Sequence, residues 1–174
     1  VLIYDAAEFR AAGLDPTKPP RTLTDLLDAS ATIQRSGASP YGWVLADSCG
    51  NLVLEQYSAQ RGSLVSSSDN GRNGGLAVVD FATPTNIADL TEIREGVVSG
   101  HVKYIGANSS NFDDLADIVA PTDGATMAIH TSAAVGDILE LLESGNWPGV
   151  ELGVGPLPGP GEGSLIGGNA LWML

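Results

Sequence analysis

The chain has 174 residues, 43% of them hydrophobic and 17% charged, with a net charge of −13. That length suits one domain with a true core, and the acidic balance excludes nucleic-acid binding, which needs a basic surface to neutralise phosphate. No apolar run reaches the length of a membrane span, and the single cysteine, Cys49, permits neither an internal disulfide nor a thiolate metal cluster.

Charge is unevenly spread. All eight Lys and Arg lie at or before Lys103. Val1-Leu2-Ile3 and Ala170-Leu171-Trp172-Met173-Leu174 both read as strand interiors, whereas natural termini are more often polar and frayed. The sequence is therefore expected to be a piece of a longer protein whose export signal lies upstream.

In chain order, the opening strand runs into a short helix that stops near Gly13-Leu14-Asp15-Pro16. Thr22 is placed as an N-cap with Asp25 at the third helical position; Leu23, Leu26, Leu27 and Ile33 form a helical stripe that Gly37 ends. Tyr41 to Leu45 reads as a strand, and Asn51 to Arg61 as a loosely periodic helix. Gly62 to Gly75 is rich in Ser, Asn, Asp and Gly and reads as a loop. Val78, Val79 and Phe81 form a brief extended piece. Thr83-Pro84 then supplies an N-cap and first helical residue; Ile87, Leu90, Ile93 and Val97 give that helix its predicted apolar face, and Gly100 closes it.

Ser109 or Ser110 is expected to cap the next helix, whose first turn carries Asp113 and Asp114 at the positive end of the helix dipole. Phe112, Leu115 and Val119 form its stripe before Pro121. Ala125 to His130 reads as a buried strand. Val135, Ile138, Leu139 and Leu142 repeat at helical spacing up to Gly145. Val150 to Val154 and Leu165 to Trp172 are further strands around a Pro/Gly turn at Pro156 to Gly163. Strands alternate with helices and no internal repeat is present, so the class is α/β.

Several residues are candidates for chemistry. Ser132 lies where a buried strand gives way to a helix, so its hydroxyl and the following N–H groups can face a ligand oxygen; capping the helix is the alternative role. Asp47 and Ser48 follow a strand and suit either hydroxyl recognition or helix capping. Trp43 lines a cleft or fills the core, and the core is the ordinary place for an aromatic in an apolar strand. Gly167-Gly168 allows close backbone approach to a ligand or between elements. Trp147, beside Pro148, reads as structural. Enzyme readings lack a full constellation: His101 and His130 have no metal-ligand spacing, Ser132 lacks a Gly-x-Ser-x-Gly setting, and no acid partner for His130 is evident. Gly153-Val154-Gly155 runs into Pro156-Leu157-Pro158, which fails the dinucleotide fingerprint.

Three segments in register carry a resemblance. The first is Tyr4, Phe9, Ala12, Gly13-Leu14-Asp15-Pro16, Pro19-Pro20, Thr22 and Leu26, with Asp5 in place of the usual Asn. The second is Gly124-Ala125-Thr126-Met127 followed by Ser132. The third is Gly153-Val154-Gly155-Pro156-Leu157-Pro158 and then Gly167-Gly168-Asn169-Ala170-Leu171. Together they resemble the extracellular solute-binding proteins of carbohydrate ABC importers, over essentially the whole chain. Within that family the nearest likeness is to the branch that binds glycerol 3-phosphate and glycerophosphodiesters, whose last motif also continues as Leu-Trp, here Leu171-Trp172.

The resemblance implies a periplasmic-binding-protein-like (type II) lobe with a mixed sheet flanked by helices. Residues 1–174 would form one lobe, the second of a two-lobed protein, with the other lobe absent. It implies capture of a sugar or polyol between the lobes by hinge closure and delivery to membrane permease subunits, with a glycerol-phosphate ligand as the alternative. Implied ligand contacts are Ser132, Gly168, Asn169, Asp47, Ser48 and Trp43, converging on one concave face. Many members carry Trp where Asn169 stands, and the replacement fits a smaller, more polar ligand. No cofactor, metal or catalysis is implied, and the location is extracellular or periplasmic, with a lipoprotein anchor on the full-length protein. Two rivals come from other classes: a hydrolase fragment using Ser132 and His130, and a purely structural surface domain.

Overall fold

A computed structural model describes residues 1–46, 53–62, 67, 72–74, 76–79, 82–106, 113–120, 122–145 and 149–164. The first strand, β1 (Leu2–Asp5), is buried along its length and passes directly into α1 (Ala6–Ala11). Asp5 marks the junction: its Oδ1 accepts from Ala7 N at 2.8 Å as the helix cap and from Glu151 N at 3.2 Å across the sheet. Phe9 is the buried residue of α1, its ring centroid 4.7 Å from that of Tyr4, whose hydroxyl donates to Pro16 O at 2.7 Å.

Next comes α2 (Leu23–Ser36), the element whose ends were plainest in the sequence. Asp25 N donates to Thr22 Oγ1 at 3.0 Å and Thr22 N donates back to Asp25 Oδ2 at 3.1 Å, so two end donors are satisfied reciprocally. Gly37 closes the helix in the left-handed region at φ 76°, where a Cβ would be strained. The remaining helices are α3 (Val53–Gln60), α4 (Pro84–Val98), α5 (Asp113–Ile118) and α6 (Ala134–Glu143). The remaining strands are β2 (Tyr41–Ala46), β3 (Val102–Gly106), β4 (Ala125–Ile129) and β5 (Leu152–Gly155).

These strands form one five-stranded sheet in the order β3-β2-β4-β1-β5. β2 is parallel to both β3 and β4, while β1 is antiparallel to both β4 and β5. The sheet is thus mixed, and only β1 runs against the rest. Helices cover both faces. One core packs Leu2, Tyr4, Phe9, Leu26, Ile33, Trp43, Tyr57, Met127 and Ile129 with α2, and the other packs Ile3, Val44 and Ala128 with Leu115 and Ile118 of α5 and Ala134 and Ile138 of α6. The α/β class and the flanked mixed sheet agree with the sequence reading.

Two helix faces differ from expectation. In α4 the predicted stripe is only half buried: Ile93 is in the core, but Ile87 and Leu90 are 53% and 48% exposed. The face that packs inward is Asn86, Ile93 and Gly96, because Gly96 lets the helix approach Leu27 and Val102 where a larger residue would collide. In α6, Ile138 is buried, yet Leu139 is 46% exposed. The extended piece at 78–79 is reduced to a bridge, with Ser67 N donating to Val78 O at 3.0 Å. The expected strand from Leu165 to Trp172 lies outside the described residues.

Two polar clusters fix the edge where β4 begins. Thr126 Oγ1 donates to Glu8 Oε2 at 2.6 Å. Lys103 Nζ donates to Asp117 Oδ1 at 3.1 Å, Asp123 O at 2.6 Å and Asp123 Oδ2 at 3.1 Å.

Candidate functional site

In open α/β sheets the ligand crevice lies beyond the carboxyl ends of the parallel strands. Here Ala46, Gly106, Ile129 and Gly155 end β2, β3, β4 and β5. β1 contributes its first residues to the same edge, because Leu2 pairs with Ile129 on one side and Gly155 on the other. At this edge the chain turns from β4 into α6 through His130, Thr131, Ser132 and Ala133.

Ser132 is exposed in that turn. It does not cap the helix: the N-cap position is Ala133, and no side-chain cap hydrogen bond is made there. Thr131 is the residue that bends back, its Oγ1 accepting from Ala133 N at 3.4 Å, while Val135 N donates to the Ser132 carbonyl at 3.3 Å. The Ser132 hydroxyl is therefore presented outward.

His130, just before the turn, is anchored through its backbone. Its N–H donates to Val1 O at 3.0 Å and its carbonyl accepts from the Val1 amino group at 2.9 Å. Its side chain is only 6% exposed, and Nε2 lies 3.8 Å from Oδ1 of Asp114, itself buried in α5. Sequence reasoning gave His130 no acid partner, because Asp114 sits on a different element. Its one signal was an Asp in the first turn of a helix, where solvent exposure is the usual reading.

The other sequence candidates divide. Trp43 lies wholly in the core at 0% exposure, its indole N–H without a partner among the described residues. It braces β2 from below, the core role weighed for it in the sequence. Ala46, the residue before Asp47, ends at the same edge as Ile129, and its register against β3 shifts between Leu45 and Ala46. Asp47, Ser48, Gly168 and Asn169 lie outside the described residues.

Two hollows lie away from this edge. One of about 320 Å³ runs along α1 and α2 and is lined by Phe9, Leu14, Asp15, Lys18 and Asp28 among others. Its Asp15 carboxyl, hydrogen-bonded by Thr17 and by Lys18, is lowered to about 2. A second, of about 200 Å³, is almost wholly apolar, between α5, α6 and β5. Neither is lined by Ser132 or His130. Among the described residues no cluster of His, Cys, Asp and Glu could hold a metal, and no helix is long and apolar enough to cross a membrane.

The model of the family of bacterial extracellular solute-binding proteins matches residues 1–174. The chain belongs to that family. As a solute-binding-protein chain it is 30% identical to the sn-glycerol-3-phosphate-binding periplasmic protein UgpB of Shigella dysenteriae and to that of Escherichia coli, in each case over all of this chain and 38% of the relative. It thus spans well under half the length of the curated relatives it matches. Solved structures with a similar fold include the GacH receptor of Streptomyces glaucescens (TM-score 0.66, 20% identity, 94% of this chain and 38% of that one). The cyclic alpha-maltosyl-1,6-maltose binding protein of Arthrobacter globiformis gives a TM-score of 0.64 at 23% identity, over 94% and 37%. UgpB of Mycobacterium tuberculosis, in complex with glycerophosphocholine, gives 0.63 at 16%, over 91% and 37%. The fold is that of the type II periplasmic binding proteins.

Proposed function

We propose that residues 1–174 are one lobe of the substrate-binding component of an ABC importer. The observation that carries this reading is the family match across every residue of the chain. In this reading the solute sits between this lobe and another, and the outward Ser132 hydroxyl is one of its contacts. Asp47, Ser48, Gly168 and Asn169 complete this lobe's half of the site, and Trp43 supports the strand beneath. Closure follows from differential affinity: a solute touching both lobes favours the closed state by the contacts it gains there. The closed form is then handed to permease subunits, with no chemistry on the solute, outside the cytoplasm and anchored as a lipoprotein.

The solute is a sugar or polyol, matched by hydroxyls and planar polar groups in a desolvated cleft. A second reading, glycerol 3-phosphate or a glycerophosphodiester, is favoured by the names of the relatives at 30% identity. Since no Lys or Arg follows Lys103, this lobe's contribution after β3 to a phosphate site would be hydroxyls, backbone N–H groups and His130. The test is a thermal-shift and calorimetric panel on the full-length protein with maltose, glycerol, sn-glycerol 3-phosphate and glycerophosphocholine. A solute at one hundred times its Kd stabilises the native state by about 2.7 kcal/mol. No shift with any sugar, polyol or glycerophosphate would defeat the reading.

A further inference from the structure

The His130–Asp114 pair is the one buried acid–imidazole contact seen at the proposed solute edge, among the described residues. We propose that it is a charge-dependent clamp that positions the Thr131–Ser132 turn, so that solute affinity rises on acidification. This inference rests on the solute-binding reading above and adds a positioning residue to it.

The geometry is specific. His130 is held by two backbone bonds to Val1, so its ring, not its main chain, is free to respond. Asp114 is likewise fixed, its Oδ1 accepting from Leu115 N at 3.1 Å. Between these two fixed points the separation from Nε2 to Oδ1 is 3.8 Å, longer than a hydrogen bond. Histidine is the side chain whose charge ordinarily changes between pH 5 and 8. A proton on the ring converts a loose contact into an ion pair, and in a desolvated corner that attraction is several times stronger than in water.

The surroundings contain no competing side-chain cation. The charged residues of α5 are Asp113, Asp114 and Asp117, and those of α6 are Asp137, Glu140 and Glu143, all acidic. The Lys103 ammonium engages Asp117 near the other end of α5, and the Val1 amino group is bonded to the His130 carbonyl. His130 is therefore the side chain here that can bring positive charge to Asp114. Drawing the two together fixes the end of β4 against α5, and the turn that follows, which no side chain caps, loses freedom before the solute arrives. Less ordering on binding means higher affinity.

The experiment is calorimetry on the full-length protein with whichever of maltose, glycerol, sn-glycerol 3-phosphate or glycerophosphocholine it binds, at pH 5.5, 6.5 and 8. Wild type is expected to bind about fivefold tighter at pH 5.5 than at pH 8, a typical size for coupling between sites. His130→Gln and Asp114→Asn, each checked for an intact thermal transition, are expected to flatten the profile, and Asp114→Glu to keep it. A profile that is flat in wild type, or equally steep in both charge-removing variants, overturns the clamp while leaving solute binding intact. Failure to bind any of the four solutes at every pH overturns both.

Discussion

Glu8 and Thr126 are 118 residues apart in the chain, yet the Thr126 hydroxyl donates to the Glu8 carboxylate at 2.6 Å. Thr126 is fully buried, so Glu8 is drawn toward the interior to meet it. Burial raises the Glu8 carboxyl above its ordinary value of 4.5, the hydrogen bond from Thr126 opposes that, and the nearby Asp5 carboxylate adds to the rise. A carboxyl raised in the folded state contributes stability that is present below its unfolded pKa and lost as pH climbs through the folded one. Glu8→Gln, which keeps an acceptor for Thr126, is expected to be more stable than wild type at pH 7. That advantage should vanish as pH falls below about 4.5. Thermal melts of both proteins from pH 4 to 8 check the sign.

Gly42 in β2 faces the backbone of Ser30 in α2 so closely that a Cβ would collide with it. Ser30 cannot retreat, since its hydroxyl donates to Leu26 O at 2.7 Å inside the same helix. Gly42→Ala is expected to cost about 3 kcal/mol or more, the upper end of overpacking penalties. Urea unfolding would show a lower midpoint. An unchanged midpoint would mean that α2 floats on the sheet.

Trp43 buries its indole N–H without a partner among the described residues. Losing that donor recovers a desolvation penalty of about 1–3 kcal/mol, which offsets part of the packing lost. Trp43→Phe should therefore destabilise by under about 2 kcal/mol, whereas Trp43→Ala should cost about 3–5 kcal/mol. Denaturant titrations of the pair separate the ring's bulk from its polar atom.

Lys103 joins β3 to both ends of the α5–β4 connection through Asp117 and Asp123. Its own burial lowers its pKa, and the two aspartates more than offset this, so the net shift is upward. Its stabilising contribution is therefore complete at neutral pH and lost only as pH rises through a value above 10.5. At neutral pH, Lys103→Met should cost about 2 kcal/mol, between a surface pair and a buried one. Adding Asp117→Asn should recover part of that loss in a double-mutant cycle.

What the sequence disclosed was chiefly local. Thr22 and Asp25 are three residues apart and cap one another with no help from the rest of the fold, and Gly37 needs only its own backbone conformation. The turn before α6 was located correctly, because an apolar strand followed by Thr131-Ser132 and an amphipathic run leaves little choice. What escaped was set by neighbours distant in sequence. Periodicity nominated Ile87 and Leu90 for the core, but the approach of Gly96 to Leu27 and Val102 rotates α4 away from them. His130 and Asp114 meet only because β4 and α5 pack together. The antiparallel course of β1 between β4 and β5 leaves no trace in its own alternation of residues.

That reversed strand governs how the molecule can assemble. Leu2, Ile3 and Tyr4 find their sheet partners only at Met127 to Ile129 and at Gly153 to Gly155. The segment synthesised first is thus the one completed last, and its apolar side chains stay unshielded until nearly the whole described chain exists. Contacts of such wide separation slow the search for the native state. Refolding is expected to be rate-limited by docking of this first strand, and until then a chaperone that grips short apolar stretches has its target at the amino-terminal end.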